Sequence, residues 1–96
     1  MIRLDGIIWK TQFAEKLEQK HQVSTREVEE VLFSNPIIRR LEKGLVDDEH
    51  LYIAYGQTRA GRYIIVVFVL KRLTAALPIS ARDMTSAERN YYEQQR

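Results

Sequence analysis

The amino-acid sequence predicts an α+β fold, with two N-terminal helices, a small antiparallel sheet of about four strands, and one C-terminal helix. Three observations predict it. Apolar residues recur at helical spacing as far as Pro36 and in strand-like patterns after it. Two capping boxes, Ser24 with Glu27 and Thr85 with Glu88, mark helix starts on either side of the strand-like region. The connections between strand-like segments are too short for parallel crossovers, so neighbouring strands should pair antiparallel. A chain of 96 residues fills one compact core, and residues 1–96 read as a single domain.

The elements follow in order. Ile2 to Trp9 carries Ile2, Leu4, Ile7, Ile8 and Trp9 and has the composition of a short strand, although Gly6 interrupts the alternation. From Thr11 to His21, Phe13, Ala14, Leu17 and His21 form one stripe of an amphipathic helix. A second helix starts at Thr25, behind the Ser24 cap and a Val23–Val28 hydrophobic staple, with Val28, Val31 and Leu32 facing inward. It must stop before Asn35-Pro36, because the residue preceding proline is pushed out of the right-handed helical region. Ile37 to Leu41 is the next strand, ending at Lys43-Gly44, and Asp47-Asp48-Glu49 is an acidic turn. Leu51 to Tyr55 is followed by Gly56 and then a hairpin loop, Thr58 to Gly61, whose glycine suits a left-handed position. Arg62 to Leu70 is apolar on both alternating faces, as a central strand covered on both sides should be. Lys71 to Thr74 turns the chain into a last strand, Ala75 to Ala81, where Pro78 calls for an edge position or a bulge. The Thr85 cap opens a helix from Ser86 to about Gln94.

Bulk properties narrow the function classes. Hydrophobic residues make up 45% and charged residues 29% of the chain, which is ordinary for a globular protein and speaks against disorder. There is no cysteine, which rules out disulfides, thiolate catalysis and Cys-ligated zinc. The longest apolar run, Tyr63 to Leu70, is far below the roughly 20 residues that a membrane span needs. The N-terminus lacks the apolar stretch of a signal peptide, so a cytoplasmic protein with no membrane partner is expected. Charge is uneven. Residues 1–56 hold 8 Lys/Arg against 10 Asp/Glu, and residues 57–96 hold 7 against 3. A basic C-terminal half can attract a polyanion, while an unevenly charged solvated face is the plainer alternative.

No phosphate-binding glycine loop, dinucleotide motif or H-E-x-x-H motif occurs. The two histidines, His21 and His50, lack metal-ligand spacing. A cation site from His50 with Asp47, Asp48 or Glu49 competes with a simple acidic surface turn, and no metal or other cofactor is expected. Arg62 opens the central strand and Arg82 closes the last one, so a meander could bring them to one edge of the sheet. Two planar, permanently charged guanidiniums suit a phosphodiester. Cleavage of RNA by its own 2′-OH then needs alignment, charge neutralisation and movement of two protons. His50 or His21 could move protons, and Glu49 could act as base if its pKa were raised. Against this stand surface ion pairs for the two arginines, Arg82 with its neighbour Asp83 included, and a packed or capping role for His21. Tyr52, Tyr55, Tyr63 and Phe68 alternate as core residues do, with base stacking as the second choice.

Several segments together resemble the BrnT toxin family. They are Lys20-His21-Gln22-Val23-Ser24, the helix end Val31-Leu32-Phe33, Gly56-Gln57-Thr58, Gly61-Arg62-Tyr63 with Ile64–Phe68, and Ile79 to Thr85 followed by Glu88-Arg89 and Tyr91-Tyr92. Gln22 stands where the family usually has glycine. The resemblance implies a RelE-like ribonuclease fold, an RNA substrate, and a small DNA-binding antitoxin as protein partner. It leaves open a homodimer or a toxin–antitoxin heterotetramer. It also implies phosphate-binding or catalytic roles for Arg62 and Arg82, with Lys20, His21 and Glu49 as secondary candidates at the same edge. His50 stays a catalytic candidate on its chemistry, and Arg59 is expected to contact RNA alongside Lys20 and His21. The expected function is a metal-independent endoribonuclease. The alternative is a non-catalytic nucleic-acid- or protein-binding module on the same fold.

Overall fold

Pro36 divides the chain as its sequence implies, with helices before it and a sheet after it. The computed structural model describes residues 2–42 and 50–96. In chain order the elements are β1 (Gly6–Ile7), α1 (Thr11–His21), α2 (Thr25–Phe33), β2 (Ile37–Glu42), β3 (His50–Gln57), β4 (Tyr63–Lys71), β5 (Ala75–Asp83) and α3 (Ser86–Gln95). Among the described residues no helix is long and apolar enough to cross a membrane.

Local chemistry sets the helix boundaries. Both capping boxes form in full: Ser24 and Thr85 accept from the backbone N–H of Glu27 and Glu88, whose carboxylates accept from the cap N–H groups in return. Val23 and Val28, the staple pair, are both fully buried. Helix α1 ends on Gln22 in the left-handed conformation (φ 55°, ψ 37°), the position glycine usually fills because it has no Cβ to clash. Asn35 leaves the helical region at φ 57°, as the following proline requires.

The sheet order is β1-β5-β4-β3-β2. Strands β2 to β5 form an antiparallel meander with β4 at its centre. Among the described residues the sheet has five strands where about four were expected, and it is mixed. Only Gly6–Ile7 of the Ile2–Trp9 segment forms a strand, and it runs parallel to β5, Gly6 opposite Ala75 and Ile7 opposite Ala76. The parallel pairing is accessible because β1 and β5 are separated by most of the chain, so no tight turn has to join them. Within β5, Val67 faces Ser80 but Phe68 faces Pro78, so Ile79 bulges out of the ladder next to the proline that cannot donate to it.

Alternation along β3 and β4 divides the buried residues between two faces. Leu17 of α1, Val28 and Val31 of α2, and Val23 between them pack with Ala54, Ile64, Val66 and Phe68 on one. On the other, Tyr92 of α3 and Met84 pack with Ile53, Tyr55 and Ile65. Strand β4 is thus covered from both sides, as its uniformly apolar sequence implies. The acidic turn expected at Asp47–Glu49 lies outside the described residues.

Candidate active site

The β3–β4 hairpin is closed by backbone bonds from Thr58 N–H to the Arg62 carbonyl (3.0 Å) and from Gly61 N–H to the Thr58 carbonyl (2.9 Å). Gly61 takes φ 91°, the left-handed value anticipated for this loop. The Thr58 hydroxyl also accepts from the Arg62 N–H, at 3.1 Å. Together these bonds place Arg62 at the mouth of the sheet, beside the junction of α1 and α2.

Its guanidinium is fully engaged there. Nε and Nη2 donate to the two oxygens of Asp83 at 2.7 and 3.2 Å. Nη1 donates to Glu27 Oε1 (3.1 Å) and to the Gln22 carbonyl (2.8 Å), and Nη2 reaches the His21 carbonyl at 3.4 Å. The last two acceptors are carbonyls at the C-terminus of α1, where helix polarity favours a cation. Asp83 and Glu27 both raise the Arg62 pKa against the opposing effect of partial burial. Arg62 in turn holds the Asp83 carboxyl below its usual value. For Glu27, burial acts to raise the pKa, but bonds from Ser24 N–H and Arg62 outweigh it and the net change is downward.

Arg82 lies at the same end of the sheet but on the other face. It stands opposite Ile65, whose side chain packs beneath α3. It forms a fork with Glu88, Nη1 to Oε1 at 2.8 Å and Nη2 to Oε2 at 2.9 Å, and donates to the Asp83 carbonyl at 3.1 Å. That fork draws the Glu88 carboxyl down to about 2, helped by the Thr85 N–H and opposed by burial. The meander therefore brings Arg62 and Arg82 to one sheet end, as expected, with Asp83 between them: its side chain holds one and its carbonyl the other. The pairing anticipated between Arg82 and the Asp83 carboxylate is instead made by Arg62. Held below their ordinary values, the carboxyls of Glu27, Asp83 and Glu88 face the arginines as ionised partners.

The remaining expected residues divide by position. His21 ends α1 and is half-buried, Lys20 beside it is exposed, and Arg59 is exposed in the hairpin loop, where its N–H donates to Glu30 at 3.1 Å. All three are at the arginine end. His50 is not. It pairs with Leu70, whereas Gln57 pairs with Tyr63, so about seven residues of strand, roughly 24 Å, separate it from that end. Glu49 lies outside the described residues. Among the described residues, no group of three or more His, Asp or Glu side chains is arranged to hold a metal ion.

Two features here were not singled out from sequence. The carboxylates of both capping boxes are also the partners of the two arginines, a tertiary coincidence that local patterns do not show. Arg89 lies over the Tyr63 ring with Cζ 4.0 Å from its centroid. A planar cation and a tyrosine at opposite ends of the C-terminal segment carry no sequence spacing by which to link them.

A fork of two parallel N–H donors that grips a carboxylate also fits two oxygens of a phosphate. Each guanidinium therefore presents donors of a kind that also bind phosphate, here engaged by carboxylates.

Comparison with known proteins bears on the family and the fold. Residues 9–88 match the family model described as the ribonuclease toxin BrnT of type II toxin–antitoxin systems. The fold is similar to the crystal structure of the Brucella abortus ribonuclease toxin BrnT, with a TM-score of 0.58 at 20% identity, over 84% of this chain and 97% of that one. No curated protein matches the chain.

Proposed function

The chain belongs to the BrnT family of ribonuclease toxins of type II toxin–antitoxin systems, and from that premise we propose that it is an endoribonuclease that cleaves RNA without a metal ion. Membership of such a family implies a cognate antitoxin as its protein partner. On this reading residues 1–96 act as one toxin domain in the cytoplasm, inactive while the antitoxin is bound, in a toxin–antitoxin heterotetramer or around a toxin homodimer.

The observation that carries the reading is the pair of forked arginines at one sheet end, Arg62 with Asp83 and Glu27, and Arg82 with Glu88. A scissile phosphodiester takes the place of the carboxylates on one or both guanidiniums. The 2′ oxygen attacks phosphorus, the bond to the 5′ oxygen breaks, and the products carry a 2′,3′-cyclic phosphate and a 5′ hydroxyl. The arginines neutralise the charge that accumulates on the phosphorane oxygens. One proton leaves the 2′-OH and one reaches the departing 5′ oxygen. On this reading His21, which ends α1 at the arginine end, carries such transfers, and Lys20 and Arg59 attract the flanking backbone. The distance of His50 from the arginines argues against the catalytic role expected for it, and Glu49 stays a candidate base on sequence alone.

One observation favours a second reading. Both guanidiniums already have carboxylate partners, as purely structural arginines would. A non-catalytic nucleic-acid- or protein-binding module would leave RNA intact. Incubating a mixed-sequence RNA in EDTA, with and without ribosomes, distinguishes the two. The ribonuclease reading expects cyclic-phosphate ends from the wild type and at least a ~100-fold slower reaction from Arg62→Lys/Arg82→Lys, with circular dichroism confirming that the variant folds. RNA left intact by the wild type under every condition supports the binding module. Equal cleavage by both proteins removes the arginines from the mechanism.

A further inference from the structure

We infer that Arg89, seated on Tyr63, is a stacking surface for one nucleobase of the RNA, beside the phosphate held at Arg62 and Arg82. The inference rests on the ribonuclease reading and adds a base subsite to it.

Arg89 differs from its neighbours in what holds it. Arg62 and Arg82 are held by carboxylates. Arg89 is exposed and makes no ion pair among the described residues, and its guanidinium lies on the Tyr63 ring. Glu93, one helical turn further along α3, is the carboxylate that an i,i+4 pair would use. It is turned away, accepting from the Tyr63 hydroxyl at 2.8 Å and from Arg96 at 3.4 Å. The ring is also braced by Tyr92, edge-on with centroids 5.9 Å apart and planes at 82°. Tyr63 is thus fixed at its hydroxyl and against a buried neighbour, and its ring holds a planar cation whose solvent side is open.

Nucleobases stack on such guanidinium planes as they do on aromatic rings. Position supports the assignment. Tyr63, the first residue of β4, follows Arg62, Arg89 follows Glu88, and Glu88 grips Arg82. Arg82 stands opposite Ile65, two residues from Tyr63 on the same face. That diagonal places the two residues roughly 7–8 Å apart, the scale of the distance from base to phosphate within a nucleotide. The other two arginine–tyrosine contacts on this face do not share the arrangement. Arg96, over Tyr92, is bonded to Gln57 and Glu93, and Arg39, over Tyr91, belongs to the edge strand β2, with two strands between it and β5.

The test compares wild type with Arg89→Lys, which keeps the charge and loses the plane. Binding and single-turnover cleavage are measured on a short RNA and on a set in which each base in turn is removed to leave an abasic ribose. For wild type, one abasic position next to the cleaved bond should weaken binding by roughly 5- to 100-fold, the usual size of a base–aromatic stack. In Arg89→Lys the penalty at that position should fall below about 2-fold, while penalties elsewhere persist. An equal penalty in both proteins, or a wild type indifferent to base removal, overturns the inference and leaves the ribonuclease reading standing. A wild type that neither binds nor cleaves RNA overturns both.

Discussion

Replacing Glu88 with glutamine removes one charge and little else. Glutamine at the third helical position still accepts from the cap N–H, so α3 keeps its start while Arg82 loses its carboxylate. The wild-type carboxyl is drawn from an ordinary 4.5 to about 2, and that difference of about 2.5 sets a ceiling of about 3.4 kcal/mol, at ~1.36 kcal/mol for each pKa unit. The Arg82 side chain is 41% exposed and that of Glu88 21%, so solvent screens the pair and a loss of about 1–2 kcal/mol is expected near neutral pH. Because folding lowers this pKa, the contribution is complete above about pH 4.5 and fades as pH falls towards about 2. Urea denaturation of wild type and Glu88→Gln between about pH 7 and pH 3 reads the difference directly. The gap should be widest at the upper end and narrow steadily below about pH 4.5. A gap of the same size across the whole range would show that the loss comes from packing or from the cap, and would refute the charge argument.

Two further substitutions test the backbone. Gln22→Gly should stabilise the protein by about 0.5–1 kcal/mol in the same assay, because it relieves a left-handed residue whose useful group, the carbonyl facing Arg62, is retained. Gly56→Ala should do the opposite. Its new Cβ would fall 2.9 Å from Val31 Cγ1 and 3.5 Å from the Val31 carbonyl, and Val31 is fully buried with nowhere to move. A loss of about 1–3 kcal/mol is expected, visible as a lower thermal midpoint.

The fold was legible wherever a local rule decided it. Ser24 with Glu27, Thr85 with Glu88 and Gly61 in the hairpin each adopt the conformation their chemistry demands, and the second helix stops before Asn35-Pro36. The parallel pairing of Gly6–Ile7 with β5 was not legible, because two residues carry no periodicity and their partner lies most of the chain away. At the candidate site, alternating strand direction correctly brought Arg62 and Arg82 to one end. It could not tell which face each would occupy, nor that the capping glutamates would hold them. His50 shows the limit from the other side. Its chemistry suits proton transfer, but strand register, which no single residue reveals, sets it at the far end of the sheet.

The bulge at Ile79 gives β5 one residue more than its ladder uses. Counted by simple alternation from Pro78, Arg82 would fall on the face of α1 and α2, beside Arg62; the spare residue turns it to the face of α3. The strand therefore has slack at one point. A chain shortened by Ile79 alone could keep Ser80 opposite Val67 and Pro78 opposite Phe68, with both arginines where they are. A residue lost anywhere else between Ala76 and Arg82 would have to draw on that slack or else invert the strand end. Length variation among relatives should therefore concentrate at this position, where one residue can be gained or lost without moving the second arginine to the other side of the sheet.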